Sequence, residues 1–266
     1  MRAPCTEDRN TVDFIDVIGL LTAAVAAGWV DAVVGGGAVL LIPVLLLSFP
    51  HLPPATALGT NKVAAITGTA TAAVMYARRT TLDRKILVPA AACAVPAGSL
   101  GALSAATFPT AYFRPVIMIL LISVALFVAL RPNFGTQPPA REVTRRRRVV
   151  AVLLGGCVVG FYDGLFGPGV GTFLIISFTT LLATQFLESA AMSKVINASS
   201  NLGALLVFAF QGNVLWALGL GMAVGNVTGA MIGSRMAMKK GSGFVRTVLV
   251  LVVTGMVTKM AFDQFA

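Results

Sequence analysis

Two lysines in long apolar stretches are the side chains of this sequence whose type and setting most strongly suggest chemistry. Lys62 stands in ALGTNKVAA and Lys194 in AAMSKVINASSN, each within the first turns of an apolar segment. If such a segment crosses a bilayer, its lysine costs about 2.5–3.5 kcal/mol on insertion scales, so a functional site is the default hypothesis. We predict that both lysines contact an anion. Snorkelling to the headgroups or a structural ion pair is the alternative.

Two aspartates precede glycine clusters by four residues. Asp31 lies before Gly35, and Asp163 lies before Gly167. Three roles are open for them: pairing with the lysines, accepting protons during coupled transport, or capping exposed N–H groups. We therefore treat both as candidate proton-coupling residues.

Carboxamides and hydroxyls cluster near the lysines. Asn61 adjoins Lys62, and Asn197 and Asn201 follow Lys194. Such groups donate hydrogen bonds to the oxygens of an oxyanion, although helix–helix hydrogen bonds are an equally good explanation for any one of them. We predict these three asparagines as substrate-binding residues and consider Asn226, in a later segment, a weaker candidate.

Metal binding and catalysis have little support in the sequence. The three cysteines form no CxxC pattern, and His51 is the only histidine. These residues exclude a His/Cys zinc site and any catalytic grouping built from two histidines. We expect no cofactor, no metal site, no catalytic residue and no enzyme activity.

The composition predicts a membrane protein. The chain of 266 residues is 57% hydrophobic and only 11% charged, against about 25% charged residues in soluble domains. Several stretches run for about 20 residues without a charge, which is the length that crosses a bilayer. The net charge of +10 gathers in short loops rather than on a basic face with interleaved aromatics, which argues against nucleic-acid binding.

Ten apolar segments are predicted, two of them short. They cover residues 14–34, 38–49, 57–76, 86–106, 113–130, 149–166, 170–182, 188–210, 214–234 and 247–262. The short segments 38–49 and 170–182 each follow a glycine cluster that should break the helix. A helix that restarts inside the membrane presents unpaired N–H groups to an anion. The predicted binding glycines are Gly35, Gly36, Gly37, Gly167, Gly169 and Gly171. Close helix packing is the competing explanation for them.

The sequence contains a duplication. From Asp31 to Asp163 and from Lys62 to Lys194 the separation is 132 residues, and the same shift superposes GWVDAVVGGG on GFYDGLFGPG and pairs Arg114 with Arg246. Charged residues are rare here, so their coincidence in one register indicates an internal repeat. We divide the chain into a tail (1–13), a first transmembrane repeat (14–130), a basic linker (131–148) and a second repeat (149–266).

Loop charges predict that the two repeats are inverted relative to each other. The basic residues concentrate in the loop after the third segment, in the central linker and in the loop after the ninth segment. The counterparts of the first and third of these loops carry little charge. Placing all three basic loops in the cytoplasm requires opposite orientations of the two repeats and puts both termini outside. Inverted repeats with broken helices are typical of secondary transporters.

The motifs that carry these features resemble the TauE/SafE sulfite exporter family, the toluene-sulfonate uptake permease group. The resemblance rests on GWVDAVVGGGAVLLIP, ALGTNKVAA, GFYDGLFGPGVGTFL, SKVINASSNLGALLVFAFQGNV and GAMIGSRMAMKKGSGFVR, in this order over residues 14–262. It implies proton-driven or facilitative transport of sulfite or organosulfonates. Ala38 departs from a fourth glycine common in the family, and Pro43 has no counterpart in the second half, where Ile175 stands.

The expected protein is an all-α polytopic membrane protein of two inverted repeats, each with a broken helix pair and three transmembrane helices. We expect a secondary transporter in the bacterial inner membrane that exports a small sulfur-containing anion by alternating access. A cation transporter or channel with Asp31 and Asp163 as ligands is the alternative. The expected partners are the anion and the lipid bilayer, and a homodimer stays open.

Overall fold

The computed structural model describes residues 14–49, 51–105 and 143–265, and within these ranges the chain forms helices joined by short connections. The helices are α1 (Phe14–Val34), α2 (Ala38–Ser48), α3 (Pro54–Ala77), α4 (Arg84–Ala105), α5 (Arg145–Leu165), α6 (Val170–Leu182), α7 (Phe186–Phe210) and α8 (Trp216–Phe265). Their order matches the predicted segments. The predicted segment 113–130, with Arg114, and residues 131–142 of the linker lie outside the described residues.

Two of these helices depart from regular α geometry. In α5, a π-helical stretch (Leu153–Val159) joins an α-helical start (Arg145–Val152) to an α-helical end (Gly160–Leu165). In α8, Gly241 has φ 75° and ψ −170°, which interrupts the helix and separates a first part, Trp216–Gly241, from the rest.

Four helices of the described residues are long and apolar enough to cross a membrane. They are α4, α5, α7 and the first part of α8. The helix α3 has 24 residues but is not one of the four. Its threonines, together with Asn61 and Lys62, lower its hydropathy. Asn61, Lys62 and three of the five threonines are buried inside the protein. The chain is therefore an all-helical, multi-pass membrane protein with a polar interior.

Both predicted helix breaks are present. The helix α1 ends at Val34 and α2 begins at Ala38, while α5 ends at Leu165 and α6 begins at Val170. In the first break Gly35 has φ +82°, and in the second Gly167 and Gly169 have φ +88° and +79°. These backbone conformations favour glycine because a side chain would meet the adjacent carbonyl oxygen.

Equivalent positions of the two halves make equivalent contacts across the molecule. The helix α1 packs on α8, α5 packs on α4, and the central helices α3 and α7 contact each other. Gly28 of α1 meets the backbone of Asn226. The residues 132 positions away repeat this contact in α5 and α4, where Gly160 meets Ala94. Small residues let helix backbones approach closely in membrane proteins. The opposite orientation of the halves in the bilayer stays a prediction.

Candidate functional site

Two buried ion pairs connect the halves crosswise. Lys62 Nζ, on α3, lies 2.9 Å from Asp163 Oδ1 and 2.7 Å from the Asp163 carbonyl oxygen, on α5. Lys194 Nζ, on α7, lies 3.1 Å from Asp31 Oδ2 and also donates to the Asp31 carbonyl oxygen, on α1. Each lysine thus binds the aspartate of the other half. Of the three roles open for the aspartates, pairing with the lysines is the one that the structure contains.

Each ammonium binds at the place where a helix ends. Asp31 lies in the last turn of α1 and Asp163 in the last turn of α5, just before the breaks. The last carbonyl groups of a helix lack partners within it, and the negative end of the helix dipole favours a cation there. A lysine that binds the carboxylate and the main-chain carbonyl of one aspartate satisfies both requirements. The breaks therefore create the two cation sites that the lysines fill.

The burial of these charges makes the pairs structurally important. The side chains of Lys62 and Asp163 are each 3% exposed, and that of Lys194 is completely buried. Removing one partner from such a pair is strongly destabilising, because the other charge then stays buried without compensation. The lysines therefore do not snorkel to the headgroups. Both form the buried ion pairs that were the other part of that alternative, and their contact with an anion stays a prediction.

A narrow polar cavity lies between the halves, beside the Lys62–Asp163 pair. It is lined by Asp31, Gly37, Ala38, Asn61, Lys62, Ala65, Thr69, Asp163, Gly167, Asn197, Asn201 and Asn226. Its free space holds on the order of one or two water-sized groups in this conformation. All four carboxamides in this lining are buried, and one hydrogen bond joins Asn201 Nδ2 to Asn197 Oδ1 at 2.9 Å. The cavity therefore offers both donors and acceptors to a small polar solute.

The structure brings most of the predicted site residues together. Eight of the thirteen line the cavity: Asp31, Gly37, Asn61, Lys62, Asp163, Gly167, Asn197 and Asn201. The other five do not: Gly35, Gly36, Gly169, Gly171 and Lys194. Lys194 is buried beneath Asp31, so it contacts the cavity only through its partner.

At the start of α6, one of the predicted N–H donors and one hydroxyl are bonded within the protein. The Gly171 N–H donates to the Gly35 carbonyl oxygen at 3.2 Å, and the Thr172 hydroxyl donates to the Val34 carbonyl oxygen at 2.5 Å. A Cβ at Gly35 would lie 2.3 Å from Gly171 Cα, so the two breaks pack backbone against backbone. Gly35 and Gly171 therefore serve close packing, which was the competing explanation for these glycines.

Asn226 is the cavity residue that sequence reasoning undervalued. It is 3% exposed, and its Oδ1 has no hydrogen-bond partner among the described residues. A single asparagine in an apolar span was the available signal. The Asn226 side chain packs against Gly68 because α8 packs against α3, and the sequence does not reveal this packing. Thr69, Ala38 and Ala65 of the lining were also not predicted.

The grouping of possible metal ligands can be described for part of the chain. Within residues 14–49, 51–105 and 143–265, no three His, Cys, Asp or Glu side chains group closely enough to hold a metal ion. The charged side chains that line the cavity are Asp31, Lys62 and Asp163.

Comparison with known proteins gives matches over nearly the whole chain. The family described as "Sulfite exporter TauE/SafE" matches residues 20–260. The chain is 38% identical over 244 residues to "Probable membrane transporter protein ORF9" of Sinorhizobium sp., covering 92% of each protein. It is 36% identical over 252 residues to "Probable membrane transporter protein YfcA" of Escherichia coli K12, covering 92% of this chain and 89% of the relative.

A third relative agrees with these two. A "Probable membrane transporter protein" of Haemophilus influenzae is 32% identical over 254 residues, covering 94% of this chain and 96% of the relative. No solved protein structure gives a significant match to the chain.

Proposed function

Because the chain belongs to the sulfite exporter TauE/SafE family of membrane transporters, we propose that it exports a small sulfur oxyanion or sulfonate across the bacterial inner membrane. The observation that carries this proposal is the polar cavity between the halves, where four buried carboxamides accompany the ammonium group of Lys62. Sulfite and sulfonate oxygens accept hydrogen bonds, and amide and ammonium N–H groups donate them.

Lys62 retains a donor for such a solute. An ammonium group has three N–H donors. Two of them reach the Oδ1 and the carbonyl oxygen of Asp163. The third remains for an anion in the cavity, which Lys62 lines. Buried lysine–aspartate pairs also suit proton coupling, since protonation of a carboxylate would leave its lysine with an uncompensated positive charge that favours the anion.

Alternating access is the transport mechanism that we propose. In this conformation the cavity is too narrow for a sulfonate with its hydration shell, so loading requires the halves to move apart. At Gly35 and Gly171 the two halves pack backbone on backbone, and the Thr172 hydroxyl adds one hydrogen bond to the Val34 carbonyl oxygen. Broken helices at a repeat interface are the usual location of transporter binding sites. We place the basic loops in the cytoplasm and both termini outside.

Thermal melting of the purified protein with sulfite, thiosulfate, sulfate, and two- and three-carbon sulfonates tests the proposal. A bound ligand raises the melting temperature in proportion to the logarithm of its concentration. We expect a saturable rise with a sulfur anion and none with matched chloride. A melting temperature that responds to none of these anions would refute the proposed substrate class.

Flux through proteoliposomes tests the role of the lysines. We expect Lys194→Ala to abolish sulfite or sulfonate flux while the protein is still expressed and inserted. Because Asp31 loses its partner in this variant, flux is normalised to the amount of folded protein measured by gel filtration. Flux that stays at the level of the unmodified protein would remove the lysine from the mechanism.

One observation favours a second candidate, a cation transporter or channel. Both carboxylates line the cavity, whereas only one of the two ammonium groups does. The same melting assay with Na⁺, K⁺ and Mg²⁺ at constant chloride separates the two candidates. Stabilisation by a cation together with indifference to all sulfur anions would favour the cation function.

A further inference from the structure

The two aspartates of the crossed pairs have unequal surroundings. Both carboxylate oxygens of Asp163 have a donor, because Oδ1 accepts from Lys62 and Oδ2 accepts from the Ser200 hydroxyl at 2.5 Å. In Asp31, Oδ2 accepts from Lys194, but no described residue donates to Oδ1. The Asp31 side chain is 14% exposed and lines the cavity.

The different surroundings of the two aspartates come from two pairs of equivalent positions at which the halves carry different residues. Ser200 of α7 corresponds to Gly68 of α3, and Ala94 of α4 corresponds to Asn226 of α8, each separated by 132 residues. In the second half a hydroxyl on α7 reaches the aspartate. In the first half the equivalent position has no side chain, and the carboxamide of Asn226 fills the space instead. A Cβ on Gly68 would lie 1.8 Å from Asn226 Oδ1, so only glycine leaves room for it.

Asn226 packs against α1 about one turn before Asp31. Its backbone packs on Gly28, which lies three residues before Asp31 and so on the same face of α1. Both side chains line the same cavity. Two acceptors therefore have no donor among the described residues: Asp31 Oδ1, on a partly exposed side chain that lines the cavity, and Asn226 Oδ1, which is buried beside Gly68. Buried acceptors without a partner are costly, so a ligand that supplies a donor gains affinity at this place.

We propose that Asp31 and Asn226 form a donor-accepting subsite, so that the transporter selects small oxyanions that carry an O–H or N–H group of their own. The inference rests on the proposed anion transport and deepens it. The Lys62 ammonium and the neighbouring carboxamides bind the negative end of the cargo, and the donor of the cargo bonds to Asp31 and Asn226. Hydrogensulfite and hydroxysulfonates belong to this class, whereas sulfate and simple alkanesulfonates do not. Asp163, whose two carboxylate oxygens both have donors, holds the halves together and takes no part in selection.

Two ligands of equal charge and chain length test the selection directly. Ethanesulfonate and hydroxyethanesulfonate differ by one hydroxyl. A site built to hydrogen-bond a hydroxyl rejects an analogue without it, because its polar groups are then left unpaired. In melting titrations of the purified protein we expect hydroxyethanesulfonate to bind about tenfold more tightly or better. Equal affinity for the two would overturn the proposal.

The substitution Asn226→Leu removes the carboxamide while the side chain keeps nearly the same size and shape. We expect the preference for hydroxyethanesulfonate to fall to less than about threefold. The ligand-free protein should melt at the same or a higher temperature, because an unpaired buried amide has been replaced by an apolar group. Ser234→Ala is the matched control on the same helix, since this buried hydroxyl bonds to the Ala230 carbonyl oxygen and lies outside the cavity lining. Retention of the full preference in Asn226→Leu would refute the subsite.

A double variant keeps the test valid if Asn226→Leu fails to fold. Gly68→Ser with Asn226→Ala installs in the first half the arrangement found in the second half, where a serine hydroxyl meets the aspartate. We expect this variant to fold and to lose the preference, and a retained preference would count against the proposal. If the unmodified protein responds to no sulfur anion, the proposed function fails as well. If it responds but does not discriminate the two sulfonates, only this inference fails.

Discussion

The ammonium nitrogen of Lys62 lies 2.9 Å from Asp163 Oδ1, although 101 residues separate the two in the chain. The lysine belongs to the first half and the aspartate to the second. The pair at Lys194 and Asp31 repeats the arrangement in the reverse sense. Each half therefore supplies the lysine that neutralises the aspartate at the broken helix of the other half. Without the other half, both of these charges would lack a partner.

The first prediction concerns the stability of this pair. Lys62→Met should destabilise the protein by about 3–5 kcal/mol, because Asp163 then stays buried without a counter-charge. Thermal melting in detergent measures the loss. Adding Asp163→Leu should recover most of it, since exchanging both members of a buried pair for apolar residues is often neutral. A double variant as unstable as Lys62→Met alone would show that lost packing, rather than an unpaired charge, causes the effect.

The second prediction concerns the Ser200 hydroxyl, which donates to the second carboxylate oxygen of Asp163. Ser200→Ala should destabilise the protein by about 1.5–3 kcal/mol, because the 2.5 Å hydrogen bond to Asp163 Oδ2 is made to a charged group. The neighbouring Ser199 is the control, since its hydroxyl bonds only to the Val195 carbonyl oxygen of its own helix. Ser199→Ala should change stability by less than about 0.5 kcal/mol. Equal effects of the two substitutions on the melting temperature would contradict the assignment.

The third prediction separates backbone strain from close packing at the breaks. Gly35→Ala should destabilise by about 2–5 kcal/mol, since φ is +82° and the new Cβ would lie 2.3 Å from Gly171 Cα. Gly212→Ala has a similar φ of +74° in open space and should cost about 1–2 kcal/mol. Gly36→Ala meets no atom within 4 Å and has no positive φ, so it should be nearly neutral. Equal melting temperatures for Gly35→Ala and Gly212→Ala would exclude the packing contribution.

The fourth prediction tests the opposite orientation of the halves. Thr81 and Gln211 are exposed in the connections after α3 and α7, which are equivalent connections of the two halves. Thr81→Cys and Gln211→Cys, each in a background without Cys5, Cys93 and Cys157, provide unique labelling sites. A membrane-impermeant maleimide should label Gln211→Cys in intact cells and Thr81→Cys only after lysis. Labelling of both cysteines from one side would contradict inverted repeats.

Much of the site could be predicted from the sequence because charged residues stand out in an apolar chain. Lys62, Lys194, Asp31 and Asp163 were identified from their surroundings and from one common repeat register. Asn226 was undervalued for the opposite reason. One asparagine in an apolar span is as easily a helix-packing residue as a site residue. Only the position of Asn226 in the cavity lining, together with its unpaired Oδ1, distinguishes the two.

The sequence alone determined the order of the helices, the two breaks and the repeated polar residues, because hydrophobic length and glycine conformation act locally along the chain. Tertiary structure alone decided which lysine binds which aspartate and that Lys194 lies beneath the cavity rather than in it. It also decided that Gly171 and Thr172 at the start of α6 hydrogen-bond to the end of α1 and the residue after it. These outcomes depend on contacts between residues about 100 or more positions apart, and no local pattern in the chain encodes them.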